Sequence, residues 1–190
     1  MSKLQEEVNK ALATLRQGGI ILYPTDTIWG IGCDATNEKA VQRILELKGR
    51  GAEKGLILLV ENEGRILNHV KDAPSVAFDL IEYSQKPLTI VFDHATDVAD
   101  SVKAPDGTVA IRVTKDEFCK KLAGALRKPL VSTSANLSGQ PFPKQFDDVS
   151  DEIRQGVDYV VDLHRKEISN TPPSTVIRLR PNGEIRVLRA

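Results

Sequence analysis

Two cysteines, three histidines, one tryptophan and one methionine are all that this 190-residue chain carries of those four side chains. Cys33 and Cys119 stand far apart with no C-x-x-C spacing, so both read as packed thiols of a reducing, cytoplasmic compartment. His69, His94 and His164 are scattered and lack metal-ligand spacing, which leaves no metal site to expect. Charge of one sign is missing too: 26 Lys and Arg balance 26 Asp and Glu, so any polyanion must be held by a local patch. No apolar run approaches the length of a membrane span, and Ser2-Lys3-Leu4-Gln5-Glu6-Glu7 is polar where a signal peptide would be apolar. The chain has no G-x-x-x-x-G-K-[ST], no G-x-G-x-x-G, no protein-kinase signature and no G-x-S-x-G. A P-loop, a Rossmann dinucleotide site and a nucleophile elbow are thereby excluded.

What remains is an ordinary globular composition, 41% hydrophobic and 27% charged, at a length that suits one domain spanning 1–190. Leu4, Val8, Ala11, Leu12 and Leu15 recur at helical spacing up to Gly18-Gly19. Ile20–Tyr23 reads as a buried strand, followed by a Thr- and Gly-rich loop from Thr25 to Ala35. Asn37 caps a helix with Val41, Ile44 and Leu45 on its apolar face, and Leu56–Val60 is a strand. Residues 63–84 read as helical, with Leu67, Val70, Val76, Leu80 and Ile81 facing the core. Leu88–Phe92 and Val109–Val113 are strands, the second entered through the turn Pro105-Asp106-Gly107. Thr114 and Glu117 form a capping box for a helix burying Phe118, Leu122 and Leu126. Pro129–Ser132 is a short strand, a short helix lies near Val149–Arg154, and a strand near Tyr159–Asp162. Thr175–Leu179 and Glu184–Leu188 form a hairpin around Pro181-Asn182-Gly183. Strands alternating with helices give the α/β class.

Three polar loops carry the chemistry: Thr25-Asp26-Thr27, Lys48 to Lys54, and Ser132 to Asn136. Loops at strand ends of an open α/β sheet converge on ligands. The segment Lys48-Gly49-Arg50-Gly51-Ala52-Glu53-Lys54-Gly55 combines cations with glycines that let backbone approach an oxyanion. By itself it reads first as a solvated helix C-terminus. Asp26 reads first as a loop-cap carboxylate, with an ion-pair partner or a base as the other readings. Arg112, flanked by Ile111 and Val113, needs an anionic partner if buried.

Together these segments resemble the YrdC/TsaC family of L-threonylcarbamoyladenylate synthases. Tyr23-Pro24-Thr25-Asp26-Thr27-Ile28-Trp29-Gly30 is similar to the family's opening signature, Lys48-Gly49-Arg50 to its K-x-R, and Ser134-Ala135-Asn136 to its S-x-N. Ser174-Thr175-Val176-Ile177 is similar to its S-T-V-I segment. The likeness runs from about Gly19 to the end, in the short form without a further C-terminal domain. One segment departs: where many members have P-G-P-x-T, Gln85-Lys86-Pro87-Leu88-Thr89 keeps one proline and the threonine.

The resemblance implies a YrdC-like, twisted, open mixed sheet with flanking helices around a large concave, positively lined cavity. It implies a nucleotidyltransferase that joins L-threonine, bicarbonate and ATP into threonylcarbamoyl-AMP, releasing pyrophosphate, with magnesium carried by the phosphates. The adenylate would pass to a tRNA threonylcarbamoyltransferase complex, and contact with tRNA or double-stranded RNA is possible. Residue by residue, it places Lys48, Arg50, Lys54, Thr108, Ser134 and Arg189 on ATP, and Thr27, Arg112, Ser132 and Ser174 on threonine. Lys48, Arg50, Ser134 and Asn136 would carry catalysis. A double-stranded RNA-binding module without catalysis is the alternative, although no RNA-binding motif is present.

Overall fold

The computed structural model describes residues 1–49 and 56–190. Its strands join into a nine-stranded mixed sheet in the order β7-β1-β2-β6-β3-β5-β4-β8-β9. The strands are β1 (Ile21–Tyr23), β2 (Gly30–Gly32), β3 (Ile57–Val60), β4 (Leu88–Phe92), β5 (Val109–Val113), β6 (Leu130–Ser134), β7 (Tyr159–Val160), β8 (Thr175–Leu179) and β9 (Ile185–Arg189). Five α-helices flank them: α1 (Lys3–Arg16), α2 (Glu38–Leu47), α3 (Val76–Tyr83), α4 (Glu117–Leu126) and α5 (Asp151–Gly156).

Strand side chains alternate between faces, and here the alternation separates two environments. Leu58, Val60, Ile90, Phe92, Ile111, Val131, Ile177 and Leu179 share one core with Val41 and Ile44 of α2 and Ala77 of α3. On the opposite face α1 and α4 bring Val8, Ala11, Leu15, Phe118 and Leu122 over Ile21, Tyr23, Leu59 and Leu130. That second cover stops short. The rest of the face is left to the site.

Local chemistry explains the boundaries. Ser2, Asn37 and Asp116 each accept a hydrogen bond from a backbone N–H in the first turn of α1, α2 and α4. Gly18, with φ of +79°, ends α1 in a conformation that a Cβ would strain.

Four expectations need correction. The Thr25–Ala35 loop contains β2, which pairs with β1 and β6. Its glycines read as loop, yet Gly32 pairs within a strand, and glycine is required there because a Cβ would collide with the Val131 carbonyl oxygen and the Tyr23 ring. The helix expected over 63–84 is a 3₁₀ segment at Glu63–Asn68 and a separate α3. Between them Asp72 has φ of +61° and Pro74 disfavours helix at the residue before it; Leu67, expected in the core, is 58% exposed. The cap of α4 is Asp116; Thr114 instead accepts from the Asp116 N–H at 3.2 Å. Finally, β6 continues through Thr133 and Ser134, which places both on a strand where a loop was expected.

Candidate functional site

Alternate residues of five strands floor a cavity of about 960 Å³ on the partly covered face. They are Ile57 of β3, Thr89 and Val91 of β4, Ala110 and Arg112 of β5, Ser132 and Ser134 of β6, and Val176 and Arg178 of β8. The expected site residues that fall among the described ones all line it: Thr27, Lys48, Thr108, Arg112, Ser132, Ser134, Asn136, Ser174 and Arg189. Arg50 and Lys54 lie outside the described residues.

Arg112 is 5% exposed, and its Nη2 stands 3.1 Å from Asp26 Oδ1. This makes Asp26 an ion-pair partner and not the loop cap first expected. The pair lacks hydrogen-bond direction, since neither Asp26 Oδ1 nor Arg112 Nε has a hydrogen-bond partner among the described residues. Arg112 Nη1 reaches Thr27 Oγ1 at 3.5 Å. The cap is supplied by Thr25: its Oγ1 accepts from the Thr27 and Ile28 N–H groups at 3.1 and 3.2 Å and donates to the Ile28 carbonyl at 2.7 Å. The two threonine hydroxyls stand 3.0 Å apart.

Across the sheet, register builds a row on the cavity face. Ile90 pairs with Ile111, which sets Thr89 opposite Arg112; Thr89 pairs with Val176, and Val176 with Arg189. A bulge between Val176 and Ile177 shifts β9 by a residue, which aims Arg189 at the cavity. Its Nε and Nη2 donate to the Ser174 carbonyl at 3.0 and 2.8 Å, and Nη2 also reaches Ser174 Oγ at 3.3 Å. Ser174 Oγ lies 2.8 Å from Thr89 Oγ1, and both residues are buried. Burial, then the nearby Arg112 charge, hold the Arg189 guanidinium below its ordinary pKa. These groups form a cationic cradle with hydroxyls between the cations.

At the other side Lys48, 3% exposed, donates its ammonium to the backbone carbonyls of Ser134 and Asn136, the latter at 2.7 Å. The Ser138 N–H returns a bond to the Lys48 carbonyl at 3.0 Å. Lys48 thus braces the Ser134–Ser138 loop as well as lining the cavity. Thr108, in the cavity lining, donates its hydroxyl to Asp106 at 2.7 Å. Asp106 in turn pairs with Arg178 at 3.0 Å, and Arg178 with Asp93 at 2.7 Å.

Sequence reasoning missed Thr89, the Arg112–Asp26 pairing and the other hairpin arginines of the lining, Arg178, Arg180 and Arg186. The period-two alternation Ile177-Arg178-Leu179-Arg180 was the available signal for the last. Thr89 and Asp26 depend on which strands are neighbours, and no local pattern carries that.

Similarity to known proteins agrees with this fold. The Sua5/YciO/YrdC family model, described as "Telomere recombination", matches residues 13–190. A threonylcarbamoyl-AMP synthase of Pseudoalteromonas translucida is 37% identical over 184 residues, covering 95% of this chain and 97% of its own. P. abyssi Sua5, solved in complex with L-threonine, aligns with a TM-score of 0.83 and 28% identity over 96% of this chain and 53% of that one. The chain therefore spans about half the length of that Sua5. E. coli YciO aligns with a TM-score of 0.83 and 25% identity, over 97% of this chain and 89% of that one. With a family match from residue 13 to the end and a relative this similar over almost its whole length, the chain belongs to the Sua5/YciO/YrdC family.

Proposed function

We propose that this chain, as one domain over 1–190, is a threonylcarbamoyl-AMP synthase: an ATP-dependent nucleotidyltransferase acting on L-threonine and bicarbonate. The observation that carries the reading is the two-sided cavity. Arg112, Thr27 and Ser174 form one side, suited to an amino acid's carboxylate and hydroxyl, while Lys48, Ser134 and Asn136 form the other. The names of its relatives, and the L-threonine bound by a Sua5 of the same fold, support the same substrates.

In this reading the threonine amine adds to carbon dioxide derived from bicarbonate and loses a proton, giving a carbamate. A carbamate oxygen attacks the α-phosphorus of ATP, the bond to the bridging oxygen breaks, and pyrophosphate leaves. Positioning and charge neutralisation supply most of such a step. Arg112 orients the threonine carboxylate. Thr108, Ser134 and Arg189 face the nucleotide, Ser132 and Ser174 the amino acid, and Arg50 and Lys54 would add phosphate contacts by family resemblance. Lys48 fixes the loop bearing Ser134 and Asn136. Asp106 and Glu184, the carboxylates of the lining, already pair with Arg178 and Arg180. The residues present therefore fit a magnesium ion that arrives on the phosphates, where it would neutralise charge at the reacting phosphorus.

The product would be handed to a tRNA-modifying transferase. Among the described residues no helix is long and apolar enough to cross a membrane, and the proposed setting is the cytoplasm. The test is pyrophosphate release from ATP with threonine and bicarbonate omitted in turn. Release should need both; release indifferent to either omission would overturn the synthase. Salt-sensitive binding of double-stranded RNA without pyrophosphate release would favour a binding module instead.

A further inference from the structure

One aromatic side chain lines the cavity among the described residues, and it is half in solvent: Phe142, 48% exposed. A phenyl ring at the mouth of a cationic cavity, left half in water, buries only part of its surface within the chain. Its exposure is not the result of a loose loop. Prolines 141 and 143 flank it and restrict φ on both sides. On one side the Gln140 carbonyl accepts from Asn136 Nδ2 at 2.6 Å, and the Gln140 N–H donates to the Leu137 carbonyl at 3.1 Å. On the other, the Trp29 N–H donates to the Pro143 carbonyl at 3.3 Å. The ring is thus held out on braced backbone, in the same loop whose Asn136 carbonyl and Ser134 are fixed by Lys48. Further apolar lining comes from Leu56, Ala104, Pro105, Leu137 and Leu188.

We propose that Phe142 is the stacking platform for the purine base of the nucleotide, with the phosphates directed toward the Lys48–Ser134–Asn136 side. This rests on the synthase reading above and adds to it the residue that recognises the base. A flat, rigid, exposed ring offers a π-face to a base, and such stacking discriminates poorly between purines but strongly between a nucleotide and bare phosphates.

The experiment measures calorimetric affinity for ATP and for inorganic tripolyphosphate with the unaltered chain, Phe142→Ala, Phe142→Leu and Phe142→Trp. Phe142→Ala should weaken ATP by about 5- to 100-fold, the range of one lost base stack, and leave tripolyphosphate unchanged. Phe142→Trp should retain ATP affinity, while Phe142→Leu, which keeps apolar bulk without a ring face, should not. Equal weakening of ATP and tripolyphosphate, or ATP affinity unmoved in Phe142→Ala, would overturn the platform and leave the synthase standing. Failure of the unaltered chain to bind ATP would overturn both.

Discussion

The two faces of one sheet are built from neighbouring residues of the same strands, yet only one of them gathers cations and hydroxyls around a cavity. Under α2 and α3, Leu58, Ile90, Ile111 and Ile177 pack into a continuous apolar layer. One residue along each of three of those strands, Thr89, Arg112 and Val176 point into the cavity. A one-residue slip of any strand would exchange core and site, so the apolar layer fixes register for both. The site therefore borrows its rigidity: Arg112 has few partners of its own, but Ile111 beside it is locked into a layer that cannot shift without exposing hydrocarbon. The difference also shows in what each face tolerates. The covered face needs volume and shape, whereas the cavity face needs particular donors.

The contrast is broken most strongly from the covered side. Leu58→Ala should destabilise the chain by about 2–5 kcal/mol, read from the denaturation midpoint, while the folded fraction keeps its KM for threonine. A raised threonine KM in that variant would mean that the faces are not separable. Next comes the floor. Arg112→Lys keeps a cation beside Asp26 but loses the guanidinium fork, and kcat/KM for threonine should fall by roughly 10- to 100-fold with the KM for ATP unchanged. Equal losses for both substrates would show that Arg112 supports the cavity in general and does not hold the amino acid.

Glu7 sharpens the comparison at the β7 edge of the sheet, away from the cavity. It is buried and accepts from the Tyr159 hydroxyl at 2.6 Å and the Asp162 N–H at 2.7 Å, with Lys10 at 3.0 Å. Burial pushes its pKa up, but those hydrogen bonds outweigh burial and hold it below the ordinary carboxylate value. With the folded-state pKa lowered, the stabilisation is complete above the unfolded pKa and is lost as pH falls through the folded one. Glu7→Gln should lose about 1–2 kcal/mol at neutral pH and show a shallower decline toward acid. An unaltered acid limb would remove Glu7 from the explanation.

Much of this arrangement was legible beforehand, and unevenly. Hydrophobic period located α1, α2, α4 and the strands that floor the site, because those segments bury one clean face. Thr27, Lys48, Arg112, Ser134 and Ser174 were found through resemblance, and the structure gathers them in one cavity. β2 was not legible, since Gly30 and Gly32 read as loop by propensity, and the crowding that requires glycine at Gly32 comes from β1 and β6. Nor were partners: Asp26 and Arg112 are far apart in sequence, and their pairing depends on how the Thr25–Ile28 loop folds over β5. Periodicity tells which way a side chain points but says nothing of what it meets there.

Thr89 gives the smallest effect and the cleanest probe of that point. It is fully buried on β4, yet its hydroxyl belongs to the cavity row, 2.8 Å from Ser174 Oγ. Thr89→Val keeps the branched shape, so packing around Val91 and Val176 should persist and the covered face should not register the change. What disappears is one hydroxyl partner of Ser174, which then keeps only the Arg189 contact at 3.3 Å. One neutral hydrogen bond is worth about 1 kcal/mol, so the KM for threonine should rise roughly fivefold while the KM for ATP holds. Ser174→Ala in the Thr89→Val background should then add little, because both changes remove the same hydroxyl pair. Fully additive losses would mean that Thr89 and Ser174 act on threonine independently. The row from Arg112 to Arg189 would then be four neighbours in register and not one binding surface.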